Sequence, residues 1–279
     1  SRVLTALGLH VQTPTANHLF VEASAPAALL ERVFGTEIDR FSLGTRSFFA
    51  NTANLRLPAA LDGLVSGVLG LDDVNRPQPK VGVGRPAAAG SSSPAIGPIG
   101  EHGGVTPCPA AIAGLGYTAP QLATAYDFNG LYAKGLPGQV MSVAFVEFDY
   151  SYHSNLKTVE SAYQVHPKVT RRLVNGGSGG PPAGGEIAAM ADITTLLEML
   201  PPLAHLYVYV APITSVGEIE LYNRFVTDND APVMSSSWGS CEQLASAADN
   251  RLFAAITEEA AAQGQQIFDA SGDAGAVDC

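Results

Sequence analysis

The sequence has few cysteines, little charge and no long apolar run. Its three cysteines, Cys108, Cys241 and Cys279, are too widely spaced for the short motifs that hold structural zinc. No apolar run reaches the roughly 18 residues that a membrane-spanning helix requires. Charged residues make up 15% of the chain, below the usual level of about 25%, and the net charge is −11. These features argue against a zinc protein, a membrane-spanning protein and a nucleic-acid-binding protein, which needs clustered Lys and Arg.

Glycine and proline are abundant instead, with 29 and 19 residues in a chain of 279. Seven of each fall in the 34 residues from Arg76 to Pro109, where no apolar periodicity remains. Such a composition is typical of an extended, solvated linker that a protease can enter. We therefore predict a domain boundary there. The first four residues lack the layout of a signal peptide, so we expect either a removed signal or a start within a longer precursor.

Residues 1–75 alternate short strands with helices. The predicted strands are His18–Ala23, Arg46–Asn51 and Gly67–Leu71, and the predicted helices are Pro26–Phe34 and Ala59–Val65. Gly35 follows the first helix at the position where a left-handed residue often ends one. This order of elements predicts a small α+β sandwich with a mostly antiparallel sheet.

The second half of the chain has a longer and more regular alternation of strands and helices. The predicted strands are Val140–Phe148, Val169–Val174, Leu206–Val210, Pro232–Ser236 and Gln266–Ala270. The predicted helices are His153–Tyr163, Glu186–Leu200, Val216–Val226 and Glu242–Gln263. Repeated strand–helix–strand units favour a doubly wound parallel sheet with helices on both faces. Ligands of such sheets bind beyond the carboxyl ends of the strands, so we expect a site after Val210, Ser236 or Ala270.

Three residues stand out, two of them near those positions, and each has a second, purely structural interpretation. Asp192 lies among apolar residues of a predicted helix, where it is either a functional buried acid or an ordinary exposed one. Asp273 follows the last strand in a Ser-Gly-Asp segment that also suits a simple turn. Trp238, the only tryptophan, is either a packing residue or a substrate contact. The six histidines show no metal-binding spacing, so we expect no metal within these residues.

Several short segments occur in a fixed order along the chain. They are residues 117–128 (YTAPQLATAYDF), 143–148 (VAFVEF), 192–193 with 206–212 (LYVYVAP), 235–239 (SSSWG) and 270–275 (ASGDAG). Residues 1–75, with Phe34-Gly35-Thr36 and the segment Gly67–Leu71, precede them. Together these segments resemble the sedolisins, the serine-carboxyl peptidases that include the kumamolisins. In that family, residues 1–75 correspond to the rear part of the activation propeptide.

The resemblance implies a secreted proenzyme of an endopeptidase that acts in acid. It implies a small ferredoxin-like α+β propeptide at 1–75, a linker with the activation cleavage region at 76–116, and part of a subtilisin-like α/β peptidase domain at 117–279. The propeptide would act as a chaperone and inhibitor that places the linker near the cleft. Protonation of interface carboxylates in acid would then release it.

The resemblance also assigns roles to individual residues within a Glu-Asp-Ser catalytic set. Asp192 would orient the catalytic Glu, and Asp273 would donate a hydrogen bond to the oxyanion. The substrate-binding residues would be Ser236, Trp238 and Gly239. For the cysteines, free thiols remain one interpretation, and a disulfide between Cys241 and Cys279 is the other.

Two departures from the family pattern complicate these assignments. The slot of the catalytic Glu, four residues before Asp192, holds Ala188, and the nearest acid is Glu186. Six helical positions leave Glu186 about 120° around the helix from Asp192. The chain also contains no Gly-Thr-Ser, the motif of the nucleophile. The family's calcium site would likewise lie in the missing C-terminal part.

Two interpretations follow from these departures. The chain is either the front portion of a proenzyme or a pseudo-peptidase that binds peptides or proteins without cleaving them. In the first interpretation the missing part docks onto this chain, possibly as a second polypeptide. The substrate in both is a peptide or protein. A nucleotide-binding α/β protein is a third alternative, which the absence of Gly-Lys-Ser/Thr disfavours.

Overall fold

The computed structural model describes residues 1–80, 119–135, 141–148, 156–157, 160–161, 165–178, 185–200 and 203–272, with only the backbone for 119, 120, 186 and 187. Most of the predicted linker therefore lies outside the described residues. The helices are α1 Arg2–Ala6, α2 Ala27–Phe34, α3 Ala119–Ala125, α4 Asn129–Ala133, α5 Glu186–Met199, α6 Ser215–Asp228 and α7 Ala247–Gln263. Two 3₁₀ helices span Ala59–Leu61 and Glu242–Leu244. The strands are β1 His10–Val11, β2 Ala23–Ser24, β3 Ile38–Leu43, β4 Arg46–Asn51, β5 Gln78–Pro79, β6 Ser142–Glu147, β7 Lys168–Leu173, β8 His205–Val210, β9 Val233–Ser236, β10 Trp238–Gly239 and β11 Gln266–Asp269.

Five strands form a parallel sheet in the order β11-β9-β6-β8-β7. The central strand β6 pairs with β8 on one side and with β9 on the other, so that Phe145 is opposite both Val208 and Ser235. All four pairings are parallel, which confirms the predicted parallel sheet. The carboxyl ends of these strands therefore meet along one rim.

Helices cover both faces of this sheet. On one face, Phe145 and Val208 pack against Ile193 and Leu197 of α5. The other face is covered by α6 and α7, and its buried residues include Ala144, Val146, Tyr209, Met234, Phe225 and Ile256. Successive residues of a strand point to opposite faces, so a strand covered on both sides must be apolar at every position. This explains why β6 and β8 are nearly continuous apolar runs.

Hydrogen-bonded caps fix where the two helices of the second face begin. Thr214 Oγ1 accepts a 2.9 Å hydrogen bond from the Gly217 amide at the start of α6. Ser246 Oγ accepts from the Asp249 amide at 3.1 Å, and the Asp249 carboxylate accepts from the Ser246 amide at 2.7 Å. This capping box starts α7 at Ala247. The predicted start at Glu242 is therefore wrong, because a separate 3₁₀ turn precedes the cap.

The N-terminal residues form two separate antiparallel pairs, β1–β2 and β3–β4. The predicted strand at 18–23 is wrong, because His18 has a positive φ of 60° in a tight turn closed by its amide and the Thr15 carbonyl. The predicted helix Ala59–Val65 is reduced to the short 3₁₀ helix, and Gly67–Leu71 contains no strand. One mostly antiparallel sheet and the ferredoxin-like arrangement are thus not confirmed. Gly35 ends α2 in the left-handed conformation, as predicted.

The N-terminal part packs against α6 and α7 of the sheet's second face. Asn17 Nδ2 donates hydrogen bonds of 2.7 Å to both Asn223 Oδ1 and Glu259 Oε2. Arg251 Nη2 donates to the Ser66 carbonyl at 2.9 Å. The next residue is a glycine at a close approach, because a Cβ at position 67 would lie 2.7 Å from the Cβ of Ala248. The N-terminal part and the α/β part therefore share a closely packed interface.

Candidate active site

The carboxyl rim of the sheet carries polar residues that the folding of the chain brings together. Glu147 ends β6, Ser236 ends β9 and Asp269 ends β11. Trp238 begins β10, and Ser237 alone separates it from the end of β9. The sequence predicted a site after Val210, Ser236 or Ala270, and Ser237 and Trp238 follow the second of these positions. Since the three strands are parallel neighbours, their ends supply groups from distant parts of the sequence to one place.

Asp192 reaches this rim from α5. Its Oδ1 accepts a 2.8 Å hydrogen bond from Ser237 Oγ. Burial raises the pKa of the Asp192 carboxyl, and the Ser237 hydrogen bond partly offsets that effect. Its Oδ2 is buried and has no hydrogen-bond partner among the described residues. Asp192 is thus a partly buried acid, and its catalytic role stays a prediction.

Glu147 and Trp238 form a buried pair that the sequence analysis missed. Trp238 Nε1 donates a 2.8 Å hydrogen bond to Glu147 Oε2, and the two side chains are 2% and 0% exposed. The ring of Phe148 meets the indole edge-on, with 5.2 Å between the ring centroids. An acid at the end of an otherwise apolar strand was the signal that could have found Glu147. The pair holds the tryptophan, and with it β10, against the sheet.

Strand β10 binds an extended segment that comes from the start of the predicted linker. Trp238 and Gly239 pair antiparallel with Pro79 and Gln78 of β5. The next amide along the segment, that of Lys80, donates a 2.6 Å hydrogen bond to the Ser237 carbonyl. Ser237 therefore contacts the segment through its backbone and Asp192 through its side chain. Ser237 thus connects the backbone of the extended segment to the Asp192 carboxyl.

The other predicted site residues are only partly described. Glu186 begins α5, but its side chain is outside the described residues, as is the whole of Asp273. Ser236 is buried, and its Oγ accepts a 3.3 Å hydrogen bond from the Trp238 amide. Cys241 is disulfide-bonded. The other two cysteines lie outside the described residues, so the pairing of Cys241 with Cys279 stays a prediction.

A second group of carboxylates lies near the same rim, on the face covered by α6 and α7. Burial raises the pKa of Glu218 to about 7, and the charges of Asp269 and Asp249 add to this effect. The Tyr222 hydroxyl donates a hydrogen bond to Asp269 Oδ1. Burial raises the pKa of Asp269 as well. These groups hold protons more strongly than exposed carboxylates do.

The described ranges contain neither a metal-binding cluster nor a membrane-spanning helix. No group of three or more His, Cys, Asp or Glu is arranged there to hold a metal ion. In the same part of the chain, no helix has both the length and the apolar character needed to cross a membrane. The described rim carries carboxyl groups and hydroxyls beside the strand edge that pairs with Gln78 and Pro79.

Comparison with known proteins gives consistent matches. The family described as "Pro-kumamolisin, activation domain" matches residues 2–74. Sedolisin of Pseudomonas sp. (strain 101) is 27% identical over 275 residues, covering 94% of this chain and 43% of that protein. Xanthomonalisin of Xanthomonas sp. (strain T-22) is 30% identical over 282 residues, covering 93% and 31%. Kumamolisin of Bacillus sp. (strain MN-32) is 29% identical over 266 residues, covering 91% and 44%.

A solved structure also matches: Pseudomonas sedolisin, a serine-carboxyl proteinase, complexed with two molecules of pseudo-iodotyrostatin. It is 24% identical, with a TM-score of 0.43, over 59% of this chain and 46% of that one. The chain spans less than half the length of the curated relatives it matches. An activation-domain match at the front and sequence similarity to three peptidases along more than nine-tenths of the chain point to one family. These similarities therefore support a sedolisin-family proenzyme.

Proposed function

We propose that the protein is the proenzyme of a secreted serine-carboxyl endopeptidase that hydrolyses peptide bonds in acid. The observation that carries the proposal is the pairing of residues 78–80 with the segment Ser237–Gly239, next to Asp192. An extended peptide on a free strand edge is a common mode of peptide recognition, since backbone hydrogen bonds bind it whatever its sequence. A carboxyl group beside such an edge is positioned for acid–base chemistry on the bound backbone.

In this proposal Asp192 orients the catalytic Glu and shares a proton with it. Its raised pKa and its unused, buried Oδ2 support that role, because two adjacent carboxyls with one proton between them need such an arrangement. A carboxylate base replaces the usual histidine, so activity depends on carboxyl pKa values and is greatest in acid. Asp273 donates to the oxyanion, and Glu186 is the candidate base. The serine nucleophile belongs to the part outside this chain.

The N-terminal part is proposed to inhibit the enzyme until it is removed. Its interface with α6 and α7 holds residues 1–75 in place, and the segment that follows them occupies the edge of β10. A substrate that pairs with β10 would have to displace Gln78 and Pro79. The activation domain that matches residues 2–74 supports this role. Cleavage in the linker at 76–116 would then free the edge.

The partner of this chain is proposed to be the C-terminal part of the peptidase domain. Among the described strands, β11 is an edge strand that pairs with β9 alone, and its Phe268 is 57% exposed. An unpaired edge with an exposed aromatic side chain favours a further element beside it. The calcium ion expected by resemblance would bind in that part. A disulfide between Cys241 and Cys279 would tie two rim loops together in a secreted protein.

A peptide-binding pseudo-peptidase is the second candidate, and one observation favours it. Ala188 occupies the slot of the catalytic Glu and is 1% exposed, so the base is absent from its usual place. The rest of the rim suits both candidates, because β10, held by the Glu147–Trp238 pair, would bind a peptide in either case.

The two candidates are separated by joining the chain to a serine-bearing C-terminal part and assaying peptide cleavage at pH 4. A peptidase should cleave, and Asp192→Asn should lower kcat by ~10²-fold or more, since it removes the proton-sharing carboxyl. Asp62→Asn, at an exposed position of the N-terminal part, is the matched control and should leave the rate unchanged. Saturable peptide binding without turnover would instead identify a binding module.

A further inference from the structure

The pairing between β5 and β10 also fixes which side chains face each other. Pro79 is opposite Trp238, and the Lys80 amide donates to the Ser237 carbonyl, which continues the same register. Side chains alternate between the two faces of a strand, so Lys80 lies on the face opposite to that of Pro79. Gly239 is two residues after Ser237 and therefore belongs to the same face as Lys80.

A side chain at position 239 would meet the side chain of Lys80. The φ of Gly239 is outside the left-handed region, so the backbone conformation there is open to any residue. A Cβ at this position would lie 3.0 Å from the Lys80 Cε, 3.6 Å from its Cγ and 3.9 Å from its Cδ. The aliphatic stem of the lysine thus lies flat across the bare backbone of position 239. The glycine supplies a shallow groove that a side chain of its own would fill.

The shape of this groove selects among side chains. An unbranched stem of three or four methylenes can follow the groove in a staggered conformation. A β-branched side chain has its bulk at Cβ and is stiff at χ1, so it cannot extend along the groove. A short side chain leaves the groove empty and loses the contacts that the Lys80 stem makes.

We infer that Gly239 makes β10 a specificity subsite for a long, unbranched side chain, lysine, arginine or methionine, at the substrate position that Lys80 occupies here. The inference rests on the proposed peptidase function. Residues Gln78–Lys80 serve as the internal example of the preferred sequence. Gly239 is a specificity-determining residue, and it acts through the room it leaves rather than through a bond to the substrate.

A series of peptides tests the subsite in the chain joined to its serine-bearing part, at pH 4. The peptides share one sequence and carry Lys, Arg, Met, Val or Gly at the position that follows Pro. Wild type should give kcat/KM values for Lys, Arg and Met about tenfold or more above the value for Val. Gly239→Val should lower the ratio of the Lys value to the Gly value by about tenfold. Equal values for all five peptides would overturn the subsite and leave the peptidase function standing.

A second measurement keeps the subsite testable if no peptide is cleaved, an outcome that would reject the peptidase function. Amide hydrogen exchange at residue 80 reports the hydrogen bond to the Ser237 carbonyl in the full chain. Gly239→Val should speed this exchange at least tenfold, and adding Lys80→Gly should slow it again because the groove is then empty. Exchange at Phe145 in β6 should stay unchanged, which shows that the variants fold. Unchanged exchange at residue 80 in Gly239→Val would overturn the subsite.

Discussion

Trp238 and Glu147, which are 91 residues apart in sequence, meet as a fully buried hydrogen-bonded pair, with 2.8 Å between the indole Nε1 and Oε2. Trp238 is the first residue of β10, and Glu147 is the last residue of the central strand β6. The pair therefore ties β10 to the central strand of the sheet. A buried carboxylate with a tryptophan donor is expensive to separate, because either partner alone leaves a polar group in an apolar setting.

Removing the donor should destabilise the protein more than changing the acceptor. Trp238→Phe takes away the indole N–H and leaves the Glu147 carboxyl short of one donor, at a cost of about 1–3 kcal/mol in the free energy of unfolding. Glu147→Gln keeps an acceptor oxygen for the indole and should cost less. Urea unfolding at pH 7 measures both variants. Equal losses in the two would show that the hydrogen bond is not what the pair contributes.

The Ser237 hydroxyl should control how easily Asp192 loses its proton. The hydrogen bond from Ser237 stabilises the charged carboxylate, whereas burial of Asp192 opposes it. Ser237→Ala removes only the stabilising contact, so the pKa of Asp192 should rise further. A carbon-13 NMR titration of the aspartate carboxyls measures the shift. Ser42→Ala, in the exposed β3–β4 hairpin, is the control and should leave that titration unchanged. A lower pKa in Ser237→Ala would contradict the assigned contact.

The sequence predicted the parallel sheet, because buried strands leave a local pattern, and it predicted that polar residues would follow the strands at one rim. Apolar runs such as that of β6 identify strands buried on two faces, and the carboxyl ends of such strands are where sites form. The contact between Glu147 and Trp238 was not predictable, because local sequence patterns carry no information on which residues 91 positions apart will meet. The strand predicted at 18–23 is wrong because the chain turns at His18, which has a positive φ. Such a φ is most common at Gly and Asn, so a histidine gave no sign of the turn.

Mild acid should stabilise the fold through Glu218. Burial raises its pKa to about 7 in the folded protein, from the usual value of 4.5. A raised folded pKa means that the folded state binds the proton more strongly, so stability is lost as the pH rises through 7 and is full below about 4.5. The shift corresponds to roughly 3 kcal/mol. Glu218→Gln should flatten the rise in melting temperature between pH 8 and pH 5. An unchanged profile would show that Glu218 is not its source.

Mild acid should also stabilise the contact between the N-terminal part and α6. Burial raises the pKa of Glu220 to about 7, and the charge of Glu22 on the other side of the interface adds to it. Protonation of Glu220 between pH 8 and pH 5 removes its repulsion with Glu22. The N-terminal part should therefore bind α6 more tightly in mild acid. This is opposite to the expectation that acid releases it. Hydrogen exchange of residues 17–24 measures the effect, and Glu220→Gln should abolish its pH dependence.

Restoring the missing carboxylate tests whether Ala188 occupies the slot of the catalytic Glu. Ala188 lies one helical turn before Asp192, so a Glu there shares its helix face and can reach the unused Oδ2. Since Ala188 is 1% exposed, Ala188→Glu should cost about 1–3 kcal/mol in unfolding free energy at pH 7, and less in acid where the carboxyl is neutral. In the chain joined to a serine-bearing part, cleavage at pH 4 should increase by ~10²-fold or more. Ala188→Gln has the same size without the base and should give no increase. An equal rate in both variants would place the base elsewhere, with Glu186 the next residue to test.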